Sequence, residues 1–288
     1  MKKLGFIGGG NMAEALMRGL LKEKVFAPAD LIASDVDSSR RRHLKRRLKV
    51  ETTEHNLEVL RSSRALLLAV KPQNIGEVLD ELAMAMRPRD EPANGAKGKS
   101  PRPVKLMERL FISIAAGIPV ARMTGILGAG ARVIRVMPNA PAMVGQGMAA
   151  LVRARGASKA DEAFALRIFR AVGDAVALTD ENLLDAVTAL SGSGPAYVYL
   201  FVKAMADAGV TEGLPPELAT RMALKTIRGA EENMRQSPLA AAELIRIVAS
   251  PGGTTEAALS KFAEAGFSDI VSNALHAAAA RSRELGRA

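Results

Sequence analysis

Gly8-Gly9-Gly10 stands between an apolar run at residues 4–7 and a helical pattern over 13–21. In that strand-to-helix context the spacing Gly8-x-Gly10-x-x-Ala13 is a dinucleotide fingerprint. Gly8 permits the tight turn, Gly10 lets the backbone approach a pyrophosphate, and Ala13 allows the helix to pack closely on the strand. The first helical N–H groups then face the anion. Asp35 ends the next apolar run, where a carboxylate would accept hydrogen bonds from ribose hydroxyls, the feature associated with NAD. Ser34, Arg40 and Arg41 lie close enough to hold the extra phosphate of NADP, so the choice of cofactor stays open. The structural alternative for Asp35 is a turn residue capping Ser38 and its neighbours.

A second cluster lies far along the chain. Ser250-Pro251-Gly252-Gly253-Thr254-Thr255 places two glycines and three hydroxyls before a helix expected to begin near Glu256. Such a turn offers N–H groups and hydroxyls to a carboxylate at a helix N-terminus; plain N-capping by Thr254 or Thr255 is the competing explanation. Ser191-Gly192-Ser193-Gly194-Pro195 is a similar turn with Pro195 at the first helical position, and by itself it reads equally as an interdomain bend. His43, His55 and His276 show neither metal-ligand spacing nor a triad partner, and each reads as a surface residue. A hydride transfer depends on positioning more than on a protein nucleophile, so nothing essential to it is missing.

The elements that must position these residues alternate between strand and helix. Strands are expected at 4–7, 31–34, 65–70, 110–114, 131–136 and 147–152, which implies a parallel, doubly wound sheet with its ligands beyond the carboxyl ends of the strands. Strand signals stop near Thr179, and only helical segments punctuated by Gly-Pro, Leu-Pro-Pro, Ser-Pro and Pro-Gly-Gly follow. The expected division is therefore residues 1–178, a Rossmann-type domain, and residues 179–288, an all-helical domain. A helix over 195–208 is apolar on almost every side, interrupted by Lys203 and Asp207, and is expected inside a subunit interface. Residues 87–105, rich in Pro, Gly, Lys and Arg, read as a mobile surface loop.

Composition narrows the class. The 288 residues exceed a usual single domain, 48% are hydrophobic but 3% aromatic, and there is no Cys or Trp. Ala, Leu, Val, Ile and Met must fill the core, and disulfides, thiolate metal sites and thiol nucleophiles are excluded. A reducing, cytoplasmic setting fits. No apolar run approaches the ~18 residues of a membrane span. The net charge of +10 raises nucleic acid as a partner; the dense basic run from Arg40 to Arg47 reads instead as one solvated helix face, and aromatic residues are too few for base stacking.

Taken together, Phe6-Ile7-Gly8-Gly9-Gly10-Asn11-Met12, Ala69-Val70-Lys71-Pro72, Ala115-Ala116-Gly117, Met137-Pro138-Asn139, Ser191 to Tyr197 and Ser250 to Thr255 resemble pyrroline-5-carboxylate reductase along the whole chain. The resemblance implies a Rossmann-type domain, a helical domain that interleaves with its partner in a homodimer assembled into a larger homo-oligomer, and an active site between the cofactor and the helical domains. It implies NAD(P)H lined by Asn11, Met12, Ser34, Asn56, Ala69, Val70, Lys71, Pro72, Ala116 and Asn139. It implies 1-pyrroline-5-carboxylate, reduced to L-proline, held by Glu181, Ser250, Gly253, Thr254 and Thr255, with Thr255 hydrogen-bonding the ring nitrogen. This chain departs from the family pattern at Asp35, Ala140, Ile245-Arg246 and Glu256, and in the long 87–105 loop. Asp35 in place of the frequent Ser or Thr puts NADPH preference in question. Other functions compete: a reductase for another small cyclic imine, a hydroxyacid dehydrogenase, for which Lys203 or Lys225 would have to serve as the catalytic lysine, and a cofactor-binding regulator tethered to nucleic acid through basic surface.

Overall fold

The computed structural model describes residues 1–86 and 109–287, so the loop expected over 87–105 lies outside the described residues. The chain forms two compact units: residues 1–192 together with 279–288, and residues 193–278.

The first unit holds β1 (Lys2–Ile7), β2 (Leu31–Ser34), β3 (Glu51–Thr53), β4 (Ser63–Leu68), β5 (Leu110–Ser113), β6 (Arg132–Met137), β7 (Gly147–Arg153) and β8 (Gly173–Ala177). They make one sheet in the order β3-β2-β1-β4-β5-β6-β7-β8. Phe6 of β1 pairs with Ala33 of β2 on one side and Leu67 of β4 on the other, so the strand order reverses at β1. The crevice that such a reversal opens beyond the strand ends is where ligands of doubly wound sheets bind. All six expected strands are present. The expectation of a parallel sheet needs one correction: β7 runs antiparallel to β6, because the short turn after Met137 brings the chain straight back, and β8 is parallel to β7.

Helices α1 (Asn11–Lys22), α2 (Ser38–Leu48), α3 (Asn56–Ser62), α4 (Ile75–Met86), α5 (Val120–Leu127), α6 (Lys159–Arg170) and α7 (Leu183–Val187) cover the sheet. In α1 the apolar positions Ala13, Leu16, Met17 and Leu20 recur at helical spacing and pack with Phe6, Ile112 and Ile168. On the other face Leu60 of α3, Leu79 and Leu82 of α4 and Met123 of α5 pack with Ile7, Leu66 and Phe111. Each such side chain contributes about 1.5–3 kcal/mol by leaving water. Leu44 alone is buried in α2, so its basic residues lie on exposed or half-exposed faces.

The second unit is helical: α8 (Gly194–Thr211), α9 (Pro216–Gln236), α10 (Ala241–Val248), α11 (Thr254–Glu264) and the first part of α12 (Phe267–Arg287). Within it the rings of Phe262 and Phe267 lie 5.3 Å apart, tilted by 60°, with Phe201 beside both. Its buried apolar residues are only Ala206, Ala219 and Ala223, while Tyr199 is 65% and Leu200 68% exposed. A helical unit with so little buried surface cannot offset its own ordering entropy and must cover those apolar faces elsewhere.

The end of α12 belongs to the first unit. Ser282 is buried and donates to Asp185 Oδ1 at 2.6 Å. Gly117 has φ +73°, and a Cβ there would lie 3.0 Å from that of Leu285, so this close approach requires glycine. No helix among the described residues is long and apolar enough to cross a membrane.

Candidate dinucleotide and substrate sites

The glycine turn after β1 is built as its spacing implies. Gly8 has φ +93° and lies so close to Ala69 that a Cβ would come within 2.8 Å of that residue's backbone. The turn is thereby pressed against the end of β4, which brings Ala69 and Val70 to the same place as the expected cofactor residues. A Cβ at Gly10 would meet nothing within 4 Å. Packing does not demand glycine at this position; open space is kept in front of the α1 N-terminus, as a pyrophosphate needs. Asn11 begins α1 and is exposed, whereas Met12 is partly buried against the core.

Asp35 is tied to this turn. Its Oδ2 accepts from the Gly9 N–H at 2.8 Å and its Oδ1 from the Asp37 N–H at 2.9 Å. Capping of α2 falls to Asp37, whose carboxylate accepts from Ser39 N–H at 2.7 Å. Arg40 donates to the Gly9 carbonyl and pairs with Glu14, so both polar groups of Gly9 are held by side chains. Glu14 also meets His43 Nε2 at 2.9 Å. Burial raises the Glu14 carboxyl, but the hydrogen bonds from His43 and Arg40 outweigh it and hold it below the ordinary carboxylate range. Arg41 donates to the Asp35 and Val36 carbonyls and to Glu54. The two arginines expected near a 2′-phosphate are therefore already engaged. Ser34 and Asn56 are brought together: the buried Ser34 hydroxyl donates to Asn56 Oδ1 at 2.7 Å, and Asn56 Nδ2 to Glu81 at 2.8 Å.

Lys71 and Pro72 are exposed, at the start of a short 3-10 turn over Pro72–Asn74. Ala116 is half-buried in the loop between β5 and α5. Asn139 has its amide spent inside the protein: Nδ2 donates to the Ser191 carbonyl and hydroxyl, and Oδ1 accepts from Met148 N–H at 2.8 Å. It fastens the β6–β7 turn to the π-helical turn Thr188–Gly192. Glu181 is also engaged internally, through Oε1, to Arg135 and to the Val120 N–H, each at 2.8 Å. Sequence reasoning passed over Glu14 and Arg135; the available signal for the latter was a lone arginine inside the apolar run Val133-Ile134-Arg135-Val136.

In the second unit Gly253 is the N-cap residue of α11 and no side chain caps that helix. Glu256 accepts from the Gly252 N–H at 2.7 Å, and Ser250 O from the Gly253 N–H at 3.0 Å. The expected alternative, capping by Thr254 or Thr255, is not what the turn does. Both residues lie inside the first turn of α11, and their N–H groups have no intrahelical acceptor. Their hydroxyls and that of Ser250 donate to no other described residue. Lys203, by contrast, is exposed and paired with Asp207 one turn on.

Known proteins resemble this chain along its length. Residues 181–285 match the family described as "Pyrroline-5-carboxylate reductase dimerisation", and residues 3–90 the one described as "NADP oxidoreductase coenzyme F420-dependent". A pyrroline-5-carboxylate reductase of Synechocystis is 40% identical over 285 residues, covering 99% of this chain and 98% of the relative. The solved pyrroline-5-carboxylate reductase of Coxiella burnetii aligns with a TM-score of 0.86 at 30% identity, covering 99% of this chain and 98% of the other. The pyrroline carboxylate reductase of Plasmodium falciparum, solved with NADP bound, gives 0.84 at 29% identity with the same coverage.

Proposed function

On the premise that this chain belongs to the pyrroline-5-carboxylate reductase family, we infer that it reduces 1-pyrroline-5-carboxylate to L-proline with NAD(P)H, the last step of proline biosynthesis. Gly8, Gly10 and Asn11 hold the pyrophosphate at the α1 N-terminus, where the first N–H groups and the helix dipole meet the negative charge. Asp35 faces the adenosine ribose, and Ser34, Asn56, Val70, Lys71 and Ala116 line the remainder. The bound dinucleotide supplies the hydride that reaches the imine carbon. Ser250, Gly253 and Thr254 hold the substrate carboxylate at the start of α11. Thr255 hydrogen-bonds the ring nitrogen and favours its protonated form, which makes the adjacent carbon more electrophilic without any strong acid.

The observation that carries this reading is the start of α11. A helix N-terminus capped by glycine, with three hydroxyls and its first N–H groups left uncommitted, has the donors a carboxylate requires and a hydroxyl oxygen to accept from a protonated ring nitrogen. The match to the dimerisation family and the exposed apolar face of α8 support a homodimer, which we extend to a larger homo-oligomer. The reading calls for neither a nucleic-acid nor a membrane partner. A cysteine-free chain fits the reducing cytoplasm, where we place the enzyme.

A single assay tests it: nicotinamide absorbance is followed with 1-pyrroline-5-carboxylate and NADH, then NADPH. Substrate-dependent oxidation of at least one cofactor, with L-proline as the product, is expected. Oxidation no faster than without the imine overturns the assignment.

A further inference from the structure

Arg135 sits in the middle of β6 among Val133, Ile134 and Val136, none more than 2% exposed, and its own side chain is 10% exposed. A guanidinium in such surroundings is costly unless a carboxylate answers it. Glu181, in the segment between β8 and α7, does so at 2.8 Å, the one ion pair that Arg135 makes among the described residues. The same Oε1 atom accepts from the N–H of Val120, the first residue of α5, a group that has no intrahelical acceptor. One carboxylate oxygen therefore ties a buried strand cation to the start of a helix.

Just before that helix lies the loop carrying Ala116. It leaves β5 with the Ala115 N–H donating to Ser113 Oγ at 3.3 Å, and Gly117 is pressed against Leu285. The Glu181 contact at Val120 anchors its far end. We propose that Glu181 is a positioning residue for the dinucleotide: balanced by Arg135, it fixes through the Val120 N–H the loop that presents Ala116 to the cofactor, and it acts through that loop and not by touching the imine. The inference rests on the assignment of Ala116 to the cofactor made above.

The test compares E181A and E181Q with the double variants R135M/E181Q and R135M/E181A. Glutamine keeps an acceptor for the Val120 N–H and loses the charge; methionine removes the buried cation, so neither double variant strands it. Dissociation constants for NADH and NADPH are read from nicotinamide fluorescence, alongside melting temperature and the KM for 1-pyrroline-5-carboxylate. E181A should weaken the preferred cofactor by about tenfold or more, because small misplacements of a positioning element carry losses of that order. R135M/E181Q should recover both melting temperature and cofactor affinity, while R135M/E181A should recover the first and not the second. The two double variants decide the matter even where E181A fails to fold.

A lower melting temperature with cofactor affinity unchanged in R135M/E181A overturns the proposal in favour of a purely structural pair. A raised imine KM with unchanged cofactor affinity overturns it in favour of direct substrate contact. Gly10→Val separates this from a failure of the cofactor reading: undiminished dinucleotide binding by that variant would mean that the site itself is misassigned, whatever Glu181 does.

Discussion

Thr255→Ala removes one hydroxyl from the first turn of α11 and should slow turnover by roughly a hundredfold or more, the consequence of losing about 3 kcal/mol of preorganised hydrogen bonding in the transition state. The structure sharpens what should happen to stability. A capping threonine would cost about 1 kcal/mol on truncation. The N-cap here is Gly253, no side-chain cap is made, and Thr255 lies inside the helix. At such a position alanine has the better helix propensity, by up to about 0.7 kcal/mol, so the melting temperature should stay level or rise slightly. Cofactor affinity should be unchanged, because Thr255 is assigned to the ring nitrogen. Thr255→Ser keeps the hydroxyl and should retain most of the turnover. The assay is steady-state kcat and KM for 1-pyrroline-5-carboxylate on both variants, with cofactor titration and calorimetric melting beside it. An alanine variant that is fully active and merely less stable would refute the argument, since that is the signature of a cap.

Asp35→Ser should raise the NADPH-to-NADH ratio of kcat/KM by roughly tenfold, because a carboxylate repels a 2′-phosphate, and should lower NADH use outright because the Gly9 N–H loses its acceptor; a wild type already favouring NADPH a hundredfold would contradict the placement. Light scattering should find a dimer or larger at micromolar concentration, and Leu200→Asp, on a residue 68% exposed in the single chain, should break it down; a stable wild-type monomer defeats this. Burial raises the Asp161 carboxyl, but hydrogen bonds from Arg132 and Ser158 outweigh it and hold it low. Its folded value lies below its unfolded one, so its stabilisation is present above about pH 4 and is lost as pH falls through the folded value. Asp161→Asn should therefore cost roughly 2 kcal/mol at pH 7, with the gap to wild type closing in acid; a gap that stays constant down to pH 2 argues against the pair.

The parts of the fold legible in the sequence were those with a strong local signal. Strand β2 was read at its observed bounds because four apolar or small residues are followed at once by Asp35; α1 was read as a helix over 13–21, inside its observed Asn11–Lys22, because its apolar positions keep helical spacing after three glycines. Strand β3 was missed since Glu51-Thr52-Thr53 is short, polar and at the sheet edge; β8 was missed because Gly173-Asp174 gives no strand pattern. The reversed direction of β7 is not written in any local period, as antiparallel and parallel strands bury the same residue types. At the site, glycines and hydroxyls announce themselves by spacing. The engagement of Arg40 by Glu14, or of Arg135 by Glu181, does not, because it joins residues 26 and 46 positions apart through tertiary packing.

The return of α12 to the first unit has a consequence for the order in which the protein can be made. Ser282 meets Asp185 across 97 residues of chain, and Leu285 presses on Gly117 from farther still. A ribosome emits the sheet first, yet Gly117, in the loop carrying Ala116, meets Leu285 only when the far end of α12 emerges. The second unit is thus spliced into the first as an insertion, and residues 1–192 expressed alone would lack a piece of their own interior. A stop codon at Ala279 should accordingly be felt at the loop carrying Ala116, because it removes the packing made by Ser282 and Leu285.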